Sequence, residues 1–443
     1  MTTPVRRGAA FALVGSLALV VPLANIPEPA VATLVTAGPF LAVAAVALLA
    51  RPGGISFELF ARPADRRDGR LYGLAAFALA TAGLAVLVVG FDLPEHVFVA
   101  TVLVLAVGNL AGEFVRRLTD TSVLAVAGFV VGGALVGSAG QFLTVRLTDA
   151  QVTWQVGVFL GASGALAAAL VRETLFRRDD APVVVSVALL LWMLSALAGD
   201  ITATRIGVAL GATSLLGYTA FALGTASIPG MLTGVLLVLL TTVLGGYGWF
   251  AMLVAFFAIG GLSTKVGYEQ KAERGVEQEN NGARDTGNVL ANSLVALVAV
   301  LAVPPGGELG VPEAVFFYAF AGAMAAALAD TLSSEIGSLY DNPRLVTTLE
   351  PVEAGTDGAV TWQGTVAGVV GAGIVALVSL SAGSGPVGVV VILVAGVVGT
   401  TADSLFGVVL EGELLGNQGV NFFATLVAAT VAATVTATVG VSA

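Results

Sequence analysis

The chain has 443 residues, a mean hydropathy of +0.96, 57% apolar residues and only 11% charged ones. Soluble domains carry roughly 25% charge and disordered chains lack apolar residues, so both classes are excluded and a polytopic membrane protein remains. The net charge of −10 argues against nucleic acid as a partner, and the absence of cysteine removes disulfides, thiolate metal sites and thiol nucleophiles.

The apolar stretches are rich in Ala, Val, Leu and Gly and lack a ten-residue alternating pattern, so they read as helices and not as a barrel. The expected fold is all-α, with about 15 transmembrane helices (14–16). In chain order the runs lie near 8–24, 31–50, 71–90, 97–115, 122–144, 152–171, 182–198, 206–225, 230–245, 247–263, 287–303, 312–333, 361–381, 387–405 and 419–440. Arg6 and Arg7 precede the first run. Further apolar runs follow at once, so this start reads as a first membrane helix and not as a signal peptide. The single histidine, His96, is expected as a plain loop residue beside Asp92 and Glu95.

The loops set the orientation. With the N-terminus cytoplasmic, the loop 51–70 falls inside with Arg51, Arg62, Arg66, Arg67 and Arg70. Arg116, Arg117, Arg172, Arg177, Arg178, Lys265, Lys271, Arg274, Arg284 and Arg344 fall inside as well, and only Arg146 and Arg205 fall outside. That is a positive-inside pattern.

The chain divides near residue 204. Residues 1–204 carry arginine-rich inside loops and few polar groups within spans. Residues 205–443 carry three polar stretches, 264–288, 340–360 and 411–421, all expected on the cytoplasmic side.

Polar stripes mark the helix ends there. In RDTGNVLANS, Arg284, Asn288 and Asn292 recur every four residues and are expected on one helical face. In ADTLSSEIG, Asp330 and Ser334 share a face and Glu335 follows. A carboxylate at a helix centre costs on the order of 3 kcal/mol on insertion scales, so these groups need partners. A divalent cation with phosphate is one solution, since Mg²⁺ takes one or two carboxylates plus substrate oxygens. Headgroup water at a helix end is the other. In DSLFGVVLEGEL, Asp403, Gly407 and Glu411 repeat the spacing, and in NQGVNFFAT so do Asn417, Asn421 and Thr425. The loop 343–365 bears glycines and threonines of the kind that offer backbone N–H groups to phosphate. The only two lysines, Lys265 at the end of GGLSTK and Lys271 after it, suit either phosphate or anionic lipid.

These runs resemble one family, the integral-membrane domain of unknown function 92, the group of transmembrane protein 19 and plant phytyl-phosphate kinase. The matching runs come in family order: GGYGWF, LSTK, GARDTGNVLAN, ADTLSSEIG, PRLVTT, GTDGAVTWQGT, DSLFG and NQGVNFFAT, over about 207–443. The first half resembles a degenerate dolichol or phytol kinase, through RPADRRDGRLYGLAAFALA and VLVLAVGNLAGEFVRRL. The Gly-Asp pair of that group reads Gly108-Asn109 here, and the family's lysine is missing, which suits a structural role.

The resemblance implies phosphoryl transfer from a nucleoside triphosphate (CTP or ATP) to a polyprenyl monophosphate at the cytoplasmic face of the cell membrane. Asp330, Glu335 and Asp403 would hold Mg²⁺. Lys265, Lys271, Arg284, Asn288 and Asn292 would form the catalytic set, and Ser334, Asn417 and Asn421 would bind substrate. Cytidylyl transfer would use the same groups. A transporter would place its ionisable residues nearer the bilayer midplane.

Overall fold

The computed structural model describes residues 3–24, 26–176, 179–275, 284–411 and 414–441. Arg177, Arg178 and the start of the GARDTGN run lie outside these residues. The described chain is almost wholly helical. Thirteen of its helices are long and apolar enough to cross a membrane, and two shorter apolar helices, Tyr247–Ser263 and Thr286–Leu301, accompany them. Each falls on one of the fifteen apolar runs read from the sequence.

The chain forms two compact units, residues 1–206 and 207–443. The first begins with α1 (Thr3–Ser16), which continues as a 3₁₀ turn over Leu17–Leu23. Then come α2 (Pro29–Leu49), the short α3 (Ile55–Phe60) and α4 (Pro63–Asp68), and α5 (Tyr72–Gly90). The unit closes with α6 (Glu95–Leu118), α7 (Ser122–Leu147), α8 (Trp154–Thr174) and α9 (Asp180–Leu197). Glycines on α7 seat it against α6: a methyl on Gly137 would meet Val104 and one on Gly132 would meet Ala111. Such small-residue seams are how helices associate when lipid supplies no hydrophobic drive. His96 departs from expectation. It lies in the first turn of α6, is 6% exposed, and its Nε2 is 3.2 Å from Ser195 Oγ.

The second unit is entered through α10 (Ala203–Leu223). Ser227 caps α11 (Ile228–Leu240) by accepting from Gly230 N–H, with proline in the first turn. A π turn over Thr241–Gly245 extends it. Then follow α12 (Tyr247–Ser263), the short α13 (Tyr268–Glu273), α14 (Thr286–Leu301), α15 (Val303–Glu308) and α16 (Glu313–Gly337). A two-stranded hairpin, β1 (Arg344–Leu345) with β2 (Ala359–Val360), precedes α17 (Trp362–Val378), α18 (Pro386–Leu410) and α19 (Asn417–Val439).

Helix α16 is the axis of this unit. Its segment from Phe320 to Ala329 is almost entirely Ala, Gly and Met, and every residue in it is buried. A methyl on Gly371 of α17 would lie 2.9 Å from Leu328 O. A methyl on Gly399 of α18 would lie 2.5 Å from Ala326 Cβ and 2.9 Å from Ala428 Cβ of α19. Three backbones, α16, α18 and α19, therefore converge at one level.

Candidate functional site: an acidic pair beside buried cations

That convergence builds the site. One turn beyond the crossing of Ala326, Gly399 and Ala424, toward the same end of the bundle, stand Asp330 on α16, Asp403 on α18 and Asn421 on α19. Because small residues hold the backbones close, the short aspartate side chains meet, and their carboxyl groups lie within hydrogen-bonding reach. Asp403 Oδ1 is buried without a hydrogen-bond partner. Two carboxylates this near repel unless a proton or a cation lies between them.

Both aspartates sit at the eighteenth position of a 25-residue helix. That is roughly 7 Å past the helix centre. The C-termini of α16 and α18 point toward this end, and their dipoles add negative potential to the carboxylates. The N-termini of α14 and α19 and two buried cations supply the opposite sign.

Arg284 is the first cation, 7% exposed. Its guanidinium stacks over the Phe256 ring at 5.0 Å. Its backbone pairs with a neighbouring segment: Ser227 N–H donates to Arg284 O, and Arg284 N–H donates to Thr225 O. Burial pulls the guanidinium down to about 10, and the charges of Glu335 and Asp330 oppose that fall. The side chain thus stays cationic at neutral pH. Its Nε and Nη1 are buried without hydrogen-bond partners.

Lys271, on α13, is the second. Its Nζ pairs with Glu335 Oε2 and donates to Thr264 O at 3.3 Å, with side chains 2% and 3% exposed for the pair. Glu335 is thereby bound to Lys271 while Asp330 meets Asp403. Among the described residues, no three His, Cys, Asp or Glu side chains gather as a ready-made metal cage.

The other expected residues fall as follows. Arg284 precedes α14, whose cap is Asp285, so it does not share that helix with Asn288 and Asn292. Asn292 is buried and donates to Asn288 O at 3.0 Å. Ser334 is exposed, and its hydroxyl donates to Asp330 O at 3.0 Å. Lys265 and Asn417 are exposed and Asn421 is buried. Sequence reasoning passed over Phe256, Thr264 and Gln418, whose amide packs against Gly287. The aromatic run AFFAIGG was the available signal for Phe256.

The hairpin loop lies over the same end. Gly358 has φ +72°, and a methyl there would meet Val408 Cγ2 at 2.2 Å and Ser404 O at 2.6 Å, so only glycine lets the loop close on α18 beside Asp403. Many loop amides are already used inside it: Val346 N–H donates to Gly358 O, Val352 N–H to Pro343 O and Ala359 N–H to Thr356 O. Fewer remain for phosphate than the sequence suggested. At the rim, Glu411 is raised above the usual carboxylate range by burial and by the charges of Asp357 and Asp330.

In the first unit, Asn109 lines a cavity of about 1080 Å³ together with Arg7, Arg62, Arg116 and Arg172. Arg62 pairs there with Asp180.

A helical multi-pass protein with a carboxylate pair and buried cations at one end of its second bundle is the class these features define. The chain belongs to the integral membrane protein family DUF92, whose model matches residues 211–429. An uncharacterized membrane protein of Methanocaldococcus jannaschii, MJ0933, is 39% identical over 186 residues, 41% of this chain and 74% of the relative. The chloroplastic protein VTE6 of Arabidopsis thaliana is 34% identical over 145 residues, 32% of this chain and 43% of that protein. Protein PGR of the same plant is 28% identical over 262 residues, 49% of this chain and 91% of the relative. No solved structure matches.

Proposed function

We propose that the second unit is a membrane-embedded phosphotransferase that moves a phosphoryl group from a nucleoside triphosphate to a polyprenyl monophosphate. The observation that carries this is the Asp330–Asp403 pair beside the buried guanidinium of Arg284. Phosphoryl transfer needs positioning and charge neutralisation more than covalent chemistry. A paired carboxylate and a cation with unused donors are suited to that task. The family resemblance supplies the lipid class.

Two carboxylates and an orphaned Asp403 oxygen fit Mg²⁺, which completes its shell with water and substrate oxygens. Bound there, the ion would neutralise charge on the transferring phosphoryl group. Arg284 donates its free N–H groups to the acceptor phosphate. Lys271 holds Glu335 in place and keeps the surrounding charge balanced. Asn421 and Asn292 offer amides at the same level. The acceptor phosphate oxygen is itself the nucleophile, so no serine or cysteine is required. Placement of the aspartates off the helix centre favours this reading over a transporter, whose ionisable groups sit nearer the midplane.

The test is transfer of label from γ-labelled CTP or ATP, in detergent, to a panel of prenyl monophosphates. The expected products are a lipid diphosphate and a nucleoside diphosphate. Release of pyrophosphate with a CDP-lipid would replace the kinase by a cytidylyltransferase, and no transfer with any pair would overturn the reading.

A further inference from the structure

Arg284 belongs to two environments. Asp330 and Glu335 are close enough to act on its charge, and it also lines an apolar cavity of about 190 Å³ among α10, α11, α12 and α14. The walls include Leu216, Met231, Val235, Val238 and Phe257. Gly261 also lines it, and a side chain there would meet nothing within 4 Å, so the space begins at the backbone. The outer wall, α10, is the least buried of the membrane-length helices. Its Leu215, Tyr218 and Leu223 are exposed at 63%, 68% and 60%. An exposed apolar helix of membrane length is thus one wall of this cavity.

Stacking on Phe256 accounts for the position of the guanidinium but leaves Nε and Nη1 without hydrogen-bond partners beside an apolar slot. Leaving such donors buried costs stability, and an anion recovers that cost. We propose that this cavity is the tail site for a single-chain phosphorylated lipid: the hydrocarbon nearest the head lies between α10, α11 and α12, and the phosphate meets the Arg284 guanidinium. The occupant is a single-chain lipid because the slot holds only about 190 Å³, and an anionic one because its only charged wall residue, among the described residues, is a cation. The inference rests on the proposed transfer reaction only for the identity of the chain as a prenyl group. It adds a reason for the site's location: the head would be held between the tail slot and the carboxylates.

The experiment is photolabelling of the full-length protein in detergent with a prenyl monophosphate that carries a diazirine midway along its chain, followed by peptide mapping. Label is expected in 216–238 and 257–262. Gly261→Leu fills the slot and should weaken labelling by about tenfold or more. Met231→Ala enlarges it and should retain labelling, which guards against a Gly261 variant that fails to fold. Arg284→Gln should lose the preference for the phosphate over the matching uncharged prenol. Excess two-chain anionic phospholipid should not compete. Label elsewhere, labelling unchanged by Gly261→Leu in folded protein, equal labelling by the prenol, or competition by the phospholipid would each overturn the proposal. Correct labelling without nucleotide-dependent transfer would leave the tail site standing and remove the kinase.

Discussion

Glu335 and Lys271 form an ion pair that is nearly sealed from solvent, at 3% and 2% side-chain exposure, between helices separated by more than sixty positions in the chain. The pair ties the α12–α13 connection to the last turns of α16. Removing one partner of such a pair strands a buried charge and costs about 3–5 kcal/mol. Lys271→Met and Glu335→Gln are each expected to lower the thermal midpoint in detergent. The double variant should recover part of the loss, since both charges are then gone. Equal midpoints for all four proteins would mean that the pair contributes nothing.

The Asp330–Asp403 pair should behave differently, because its value lies in chemistry. Asp330→Asn and Asp403→Asn are each expected to cut turnover about a hundredfold, on the order of 3 kcal/mol in the barrier. The folds should survive. The losses should not add if both residues act on one ion. Turnover measured against Mg²⁺ concentration checks this, and an unchanged Mg²⁺ dependence in both variants would remove the metal from the mechanism.

Packing around α16 predicts a sharp contrast between two glycines of α17. A methyl on Gly364 would lie 2.6 Å from Ser333 O and 3.0 Å from Gly337 Cα, whereas one on Gly373 would meet only Leu393 Cδ1, at 4.0 Å. Gly364→Leu should destabilise by at least the about 1–3 kcal/mol usual for overpacking, and Gly373→Leu should be close to neutral. Thermal midpoints of the two purified variants decide it.

Glu411 gives a pH dependence with a definite sign. Its carboxyl is raised in the folded protein by burial and by Asp357 and Asp330. An acid with a raised folded pKa holds its proton longer when folded than when unfolded. Stability from this group is therefore present at low pH and falls as pH climbs from the ordinary glutamate range through the raised value. Glu411→Gln should flatten that part of the stability profile, measured as midpoint against pH.

The chain lacks cysteine, so single cysteines report topology without background. Glu353 and Leu309 are both exposed and flank opposite ends of α16. Glu353→Cys should react with an impermeant thiol reagent only after the membrane is breached, and Leu309→Cys in intact cells. Reaction of both from one side would mean that α16 does not cross.

The legible part of this protein was the part that one helix can write alone. Runs of about twenty apolar residues map onto membrane helices because hydrocarbon thickness sets their length, and each run has its helix. Spacing put Asp330, Ser334 and Asp403 on helices, but the two aspartates were expected at the helix ends and lie two turns inside them. It failed at Arg284, where Asp285 starts the helix one residue too late for the arginine to join it, and the backbone instead pairs with Thr225 and Ser227. It also failed at His96, whose neighbours Asp92 and Glu95 looked like loop but whose ring enters the bundle. Which carboxylates meet was beyond spacing altogether. Asp330 and Glu335 are close in sequence, yet one faces Asp403 and the other Lys271, a choice made by neighbouring helices.

The alanine and glycine seam of α16 has a thermodynamic corollary. Alanine and glycine bring almost no rotamer freedom to lose, so six of the eight residues from Gly322 to Ala329, all but Met324 and Leu328, order with little loss of side-chain entropy. Its cohesion is then a matter of dispersion between closely set backbones, which fades steeply with a gap of half an ångström. Such a seam has little capacity to loosen by degrees. Heat or detergent should leave the geometry around Asp330 and Asp403 nearly intact until the three helices part together.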